Sequence, residues 1–440
     1  MDSSGRETHP ASTSRFNQLR LIQGYLPGHE VSFYARVHEV RQRSDEGEDK
    51  NQVLLLMREE AWFVDVAIGI ENVSASAWEV ATKCTAESIL HVVGSIIDNP
   101  RATAVIEATT SALPLIQSLS LHERLNHRIL DVRVAANGAI FKLFSGMLSL
   151  ASQHCIGRGM HWIQTPSLIN YKIATDDDYF PVSYPGGQPA WLSQTVELHH
   201  ELALSMDFQR VFEIKHMFRA EKDISPRRLS EMAKKLHSSA GDFKLGLDAR
   251  GRLPRVNYVE AKQLLREHEG MQTDDNGDLT KVCSHEEEAM LGKLLRRGVA
   301  SRPSSSGKPS SPIPATDAFF ITDYPQRQRP PQTVPNRHNG PADEQTATDT
   351  CDLIARGQEV ASILHFTGSH EVLRAALRDQ ATERDPDAPM WRPWLQAFEA
   401  GLLPHVNFAF GMNRVLQSVL GLGDVREATL FPRDAGRLAP

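Results

Sequence analysis

Between Glu30 and Thr110 apolar and polar positions alternate in short runs: VSFYARVHEV, NQVLLLM, AWFVDVAIGI, ESILHVVGSII and ATAVIEATT. Runs of this length with turn-prone residues between them predict five strands closing into a small barrel that ends near Leu113. This is an OB-fold over residues 28–113, with Val80–Ile89 as its single helix. Residues 1–27 are polar and predict a flexible tail, and residues 114–135 a hinge. From residue 136 to 440 the period changes. Asn137–Cys155 has Ile140, Leu143, Phe144, Met147, Leu148 and Leu150 on one side of a helix. Helices are also predicted over Trp191–Met206, Tyr258–Glu267 and His285–Arg297, over SHEVLRAALRDQATE, from Trp394, and over MNRVLQSVLGL. Strands are predicted in MHWIQTP, Val211–Phe218, DAFFITDYP, CDLIARGQEVASILHF (as one strand) and VNFAFG. SRPSSSGKPSSPIP at 301–314 reads as a low-complexity insert, and residues 324–350 as mobile. The fold class is therefore α+β.

Composition narrows this little. At 440 residues, 40% hydrophobic and 23% charged, the chain can fill the cores of two or three globular domains. A net charge of −7 argues against a general basic field for nucleic acid, though not against a local groove. The four cysteines form no CxxC pair, so neither zinc nor a disulfide framework is indicated. No apolar run reaches the length of a membrane span, and the N-terminus has no secretory core. A reducing, cytoplasmic location is the expectation.

Candidate chemistry gathers in VFEIKHMFRAEKDISPRRLSE, residues 211–231. A strand, a polar loop broken by Ser225-Pro226 and a return from Arg227-Arg228 would bring Arg219, Glu221, Arg227 and Glu231 together. Two guanidiniums beside two carboxylates suit a nucleoside triphosphate and its metal, because Arg grips phosphate oxygens bidentately. A solvated, salt-bridged strand edge is the plain alternative.

From about residue 30 onward the sequence resembles an aspartyl-tRNA synthetase of the archaeal and eukaryotic cytosolic type, a class II aminoacyl-tRNA synthetase. GMHWIQTPSL (159–168) looks like motif 1, FRAE (218–221) with RRLSE (227–231) like motif 2, and Gly411-Met412-Asn413-Arg414 like motif 3. RLNHRILDVR (124–133) is similar to the hinge signature, and LFPRDAGRLAP to the closing element. The resemblance implies an OB-fold that reads an anticodon and an antiparallel-sheet catalytic domain. It implies ATP and Mg²⁺ as cofactors, an amino acid (aspartate or another small acid) and tRNA as partners, and a homodimer with Pro166 at its interface. Arg219 and Arg414 would be the catalytic cations, and Arg219, Glu221, Arg227, Glu231 and Arg414 the ATP contacts. Asp352, Glu359 and Ser362 would be the magnesium ligands, as hard oxygen donors suit that ion. An ion pair with Arg356 is the structural alternative for those acids.

The pocket for the amino acid would be Thr195, Glu197, His200, His365 and Phe366. There the sequence departs from the pattern. His200 and Phe366 stand where the family clamps the substrate carboxylate with Lys and Arg, and Glu197 where it has Gln. Ala174, Leu236, Met232 and Asn413 also depart, as do Leu54 and Asp65 in the barrel. Three functions follow: an aspartate–tRNA ligase, an ATP-dependent ligase for another carboxylic acid, and a non-catalytic dimeric paralogue.

Overall fold

The computed structural model describes residues 19–22, 26–42, 51–59, 62–97, 101–109, 120–172, 179–220, 242–269, 284–300, 312–335, 347–378, 386–388, 391–434 and 436–437. Two compact units emerge, residues 1–140 with 433–440, and residues 141–432.

In the first unit α1 (Leu19–Ile22) precedes β1 (Glu30–Gln42), β2 (Gln52–Glu59), β3 (Trp62–Gly69), α2 (Ala75–Lys83), β4 (Ile89–Ile97) and β5 (Arg101–Thr109). The strands close into a barrel in the order β1-β2-β3-β5-β4, with β3 and β5 parallel. Val31, Phe33, Ala35 and Val37 of β1 point inward with Val53, Leu55 and Met57 of β2, the period-2 rule that the sequence displays. This is the OB-fold. Leu19 and Ile22 of α1 pack into the same core, so the tail reading does not hold for these four residues. The helix also begins earlier than predicted. The Ser74 hydroxyl caps it by accepting the Ala77 N–H at 3.2 Å. Glu87, in the left-handed region at φ 71, turns the chain into β4.

Within the first unit, residues 120–133, expected as part of a hinge, form α3 (Leu121–Asn126) and α4 (Arg128–Arg133). Fully buried Asp131 holds it together, accepting from Arg124 Nε at 2.7 Å, Asn137 Nδ2 at 2.8 Å and Arg128 Nη1. Arg437, from the other end of the chain, donates to Asn126 Oδ1 at 2.6 Å.

α5 (Ala135–Gly157) begins in the first unit and continues into the second, and none of its described residues is buried. The second unit then adds short strands. β6 (His161–Trp162) pairs with β9 (Val211–Phe212), and β7 (Leu168–Ile169) with β8 (Trp191–Leu192). The predicted strands at 160–166 and 211–218 are therefore two residues long. The predicted Trp191–Met206 helix opens as strand and becomes α6 (Glu197–Ser205) only after Ser193, whose N–H is held by Ser167 O at 2.9 Å.

The main sheet runs β10 (Arg255–Asn257), β11 (Ala318–Thr322), β12 (Thr350–Ala355), β13 (Gln358–Phe366) and β14 (His405–Phe410) in that order, antiparallel from β11 onward. α7 (Tyr258–Glu269) and α8 (His285–Arg297) bury Leu264, Leu265, Leu291 and Leu295 against Phe319, Ile321 and Ile354. α9 (His370–Arg378), α10 (Arg392–Glu399) and α11 (Met412–Leu420) complete the unit. Residues 351–366, predicted as one strand, form a hairpin. Arg356 (φ 48) and Gly357 (φ 77) make its two-residue turn, where paired left-handed conformations match the strand twist. Gly292 of α8 lies so close to it that a Cβ there would sit 2.5 Å from the Gly357 backbone. Residues 324–335, predicted mobile, are packed, with Gln332 and Thr333 buried and Val334 N–H bonded to His365 O at 2.9 Å. Of the low-complexity stretch, residues 301–311 lie outside the described residues.

Candidate functional site: acids and guanidiniums on the main sheet

Asp352 on β12 faces Ser362 on β13, and the Ser362 hydroxyl donates to Asp352 Oδ1 at 2.7 Å. Residues three apart on a regular strand lie on opposite faces, so Glu359 should point away from Ser362. It does not, because the register slips there. One step from Leu353 to Ile354 is matched by two steps from Ala361 to Glu359, leaving Val360 as the extra residue of a bulge. The bulge returns Glu359 to the face of Asp352 and Ser362. Its carbonyl accepts from Arg414 Nη1 at 3.3 Å, while the Val360 carbonyl accepts the Gly411 N–H at 2.9 Å, tying the start of α11 to the bulge.

The second oxygen of Asp352 pairs with Arg329 Nη2 at 2.6 Å. The Arg329 guanidinium stacks 3.7 Å from the Tyr324 ring centroid. The guanidinium that reaches Asp352 is thus Arg329's, and Arg356 lies 3.8 Å from Asp317. Burial raises Glu359 to about 6, with repulsion from Asp352 and Glu288 adding to the rise and Arg414 and Arg329 opposing it. Burial and Asp352 likewise push the Tyr324 hydroxyl upward. Asp352 and Glu288 repel Glu359 while Arg414 and Arg329 attract it, and the raised value shows that added positive charge would be favoured there.

Beyond the other end of β13 a second group gathers. Phe366 is fully buried, edge-on to the His405 ring at 5.6 Å. His405 Nε2 lies 3.3 Å from Glu201 Oε1, and Trp394 Nε1 donates to Glu201 Oε2. Burial opposes charge on His405, but hydrogen bonds with Glu201 and the Leu403 carbonyl prevail and raise it. Half-buried Glu197, whose N–H donates to Thr195 Oγ1 at 3.3 Å, is pushed up to about 7 by burial and by Glu201. His200 Nε2 stands 3.7 Å from Glu213 Oε2, and burial lowers its value despite that neighbour. Glu213 accepts from Thr165 N and Oγ1 at 2.9 and 2.7 Å, and Lys215 Nζ donates to the carbonyls of Thr165 and Pro166 at 3.0 and 3.1 Å. His365 Nδ1 is 2.9 Å from Asp349 Oδ2.

Of the site residues expected from the sequence, Asp352, Glu359, Ser362 and Arg414 come together. Thr195, Glu197 and His200 lie on and just before α6, and His365 and Phe366 at the end of β13. Arg219 is exposed, next to Phe218, whose N–H bonds to Ser193 O at 3.0 Å and so ties its segment to the approach to α6. Pro166 is exposed. Glu221, Arg227 and Glu231 lie outside the described residues. Arg329, Glu201, His405 and Lys215 are additions. Their partners lie far away in the chain, so spacing carries no signal for them.

A divalent cation fits the acid cluster chemically. The Ser362 hydroxyl and Arg329 bond to the two oxygens of the Asp352 carboxylate, and burial, with repulsion from Asp352 and Glu288, holds Glu359 above its ordinary value, so hard oxygen donors gather where a cation would relieve repulsion. The set is two carboxylates and a hydroxyl. Among the described residues no three His, Cys, Asp or Glu side chains form a metal-binding group. No helix among them is long and apolar enough to cross a membrane.

The profile of the family described as tRNA synthetases class II (D, K and N) matches residues 120–235 and 223–435. An aspartate–tRNA(Asp/Asn) ligase of Methanopyrus kandleri is 27% identical over 459 residues, covering 94% of this chain and 96% of that protein. A cytoplasmic aspartate–tRNA ligase of Mus musculus is 27% identical over 353 residues, covering 72% and 64%. Among solved structures, the asparaginyl-tRNA synthetase of Pyrococcus horikoshii complexed with asparaginyl-adenylate superposes with a TM-score of 0.73 at 20% identity, covering 94% of this chain and 97% of that one. The aspartyl-tRNA synthetase of Entamoeba histolytica gives 0.70 at 20%, covering 100% and 96%. At such identities these two structures speak for the fold.

Proposed function

The chain belongs to the class II tRNA synthetases (D, K and N), and from that premise we propose that it is an aspartate–tRNA ligase-like enzyme. The carboxylate of an amino acid attacks the α-phosphorus of ATP, the bond to pyrophosphate breaks, and an aminoacyl-adenylate forms. A ribose hydroxyl of tRNA then displaces AMP. The observation that carries this is the convergence of Asp352, Glu359, Ser362 and Arg414 on one bulged hairpin and the helix behind it. Arg219 and Arg414 hold the phosphates, with Arg227, Glu221 and Glu231 completing the ATP contacts. Asp352, Glu359 and Ser362 hold Mg²⁺. That ion would neutralise charge on the triphosphate, and the chain's own part is to orient the phosphates and keep the developing negative charge paired.

The barrel takes tRNA, and the chain works in the cytoplasm. It works as a homodimer through α5 and the segment around Pro166, because a largely apolar helix of 23 residues with none of its described side chains buried calls for a second surface. ATP–pyrophosphate exchange dependent on aspartate tests the reading, and no exchange with any standard amino acid refutes it.

A second reading is favoured by Phe366. Fully buried against His405, it offers a substrate carboxylate no cation, while Glu197 at about 7 adds none. On that reading the enzyme keeps adenylate chemistry and takes a less acidic carboxylic acid. Exchange with such acids but not with aspartate distinguishes the two.

A further inference from the structure

A buried pair of titratable side chains joins three elements around the amino-acid pocket, and the reaction above gives it no part. His405 opens β14 directly across from Phe366 of β13, and the two rings meet edge-on at 5.6 Å. Glu201 lies on α6, one turn beyond Glu197 and next to His200. Trp394 comes from α10, which shares a core with α6 through Leu198, Trp394 and Phe398. The side chains of His405 and Glu201 are only 13% and 2% exposed, so water cannot complete their hydrogen bonds.

Both ring nitrogens of His405 face acceptors. Nδ1 lies 2.9 Å from the Leu403 carbonyl, and Nε2 lies 3.3 Å from Glu201 Oε1. A neutral imidazole has one N–H and cannot serve both. Glu201 Oε2 is occupied as well, accepting from Trp394 Nε1. The pair therefore fits together only while one proton sits between its members, on the imidazole or on the carboxyl. Without it a bare carboxylate would confront a ring-nitrogen lone pair in the interior. Burial opposes charge on His405, and the Glu201 and Leu403 contacts overcome it; burial pushes Glu201 up against His405, Trp394 and Gln332. The further acid acting on the pair is Glu197. From β13 comes uncharged Phe366, since His365 lies on the opposite face and pairs with Asp349, while His370 and Glu399 pair with each other at 3.3 Å.

We propose, on the reading that α6 and the end of β13 line the amino-acid pocket, that His405 is a positioning residue. The proton it shares with Glu201 binds α6 to the start of β14, and so fixes the α6 wall of that pocket, with Glu197 and His200, relative to Phe366. Loss of the proton turns the attraction into repulsion and frees α6. The acid cluster of Asp352, Glu359 and Ser362, toward the start of β13, keeps its own contacts. Binding of the amino acid thus depends on a proton that binding of ATP does not need.

Tryptophan emission of the full chain, titrated from about pH 6 to about pH 10, reads the pair through Trp394. A transition above about pH 7 is expected in the parent and is absent when His405→Gln is combined with Glu201→Gln, two changes that remove both charges together and leave neither stranded. Urea unfolding is a second measure that needs no activity. His405 is raised in the folded chain, so its contribution is full below its unfolded value and is lost as pH rises through the folded one. The parent should therefore lose stability relative to the double variant between about pH 7 and about pH 9. In pyrophosphate exchange, KM for the amino acid should rise toward about tenfold per pH unit above the transition while KM for ATP holds. Absence of exchange with every amino acid counts against the ligase reading alone, and emission and unfolding still decide whether the proton binds α6 to β14. Emission unchanged across this range, a transition that persists in the double variant, or an amino-acid KM flat through the transition overturns the proposal.

Discussion

Glu359→Gln should make the protein more stable and less able to use a metal. In the folded chain Glu359 rises from an ordinary 4.5 to about 6, through burial first and then through Asp352 and Glu288. The folded chain therefore holds the proton more tightly than the unfolded chain, and ionisation favours unfolding. The penalty is absent below about pH 4, grows between 4.5 and 6, and is complete by about pH 7.5. That rise corresponds to about 2 kcal/mol, and solvent screening of a half-buried group lowers it to about 1 kcal/mol. Glutamine is close in shape and carries no charge. Urea unfolding without divalent metal should show the variant more stable by about 1 kcal/mol at pH 8 and equal to the parent at pH 4. Millimolar Mg²⁺ at pH 8 should then stabilise the parent and leave the variant almost unmoved, because a cation between the carboxylates relieves the repulsion that the substitution removes. A variant less stable at pH 8, or a gain of the same size at both pH values, would refute the reasoning.

Arg329→Met should cost about 3–5 kcal/mol, because Asp352 is 5% exposed and loses its close cation beside Glu359. Adding Asp352→Asn should recover much of that loss in the same unfolding assay. Gly292→Ala should lower the unfolding midpoint by about 1–3 kcal/mol equivalent, since its new methyl meets the Gly357 backbone at 2.5 Å and neither backbone can yield freely. Leu143→Glu with Leu150→Glu, on positions 45% and 68% exposed, should turn a sedimenting dimer into a folded monomer. A species of unchanged mass would remove α5 from the interface.

The barrel was legible because β1, β2 and β4 bury alternate residues, so period-2 alternation records its wall directly. Its helix starts at Ala75 rather than Val80 because the Ser74 hydroxyl caps it there, and Ile89 opens β4 instead of ending the helix. The hairpin at Arg356-Gly357 was missed for a related reason: apolar residues run through it on both sides, and only the paired positive φ values mark the turn. At the candidate site, resemblance supplied Asp352, Glu359, Ser362 and Arg414. It did not explain how Glu359 and Ser362, three apart on one strand, share a face; that depends on a bulge at Val360 that alternation cannot encode. Arg329 was hidden in a stretch read as mobile because Pro, Arg and Gln suggest a loop, whereas Gln332 and Thr333 within it are buried. Contacts between residues far apart in the chain leave no periodic trace.

The bond from Arg437 to Asn126 spans 311 residues. During synthesis at roughly 5–20 residues per second, the first unit emerges from the ribosome tens of seconds before the strand of chain that finishes it. Until then the Asn126 carbonyl faces solvent, and the hinge helices lack one of their clasps. A polypeptide cut short before Arg437 would carry α3 without this clasp.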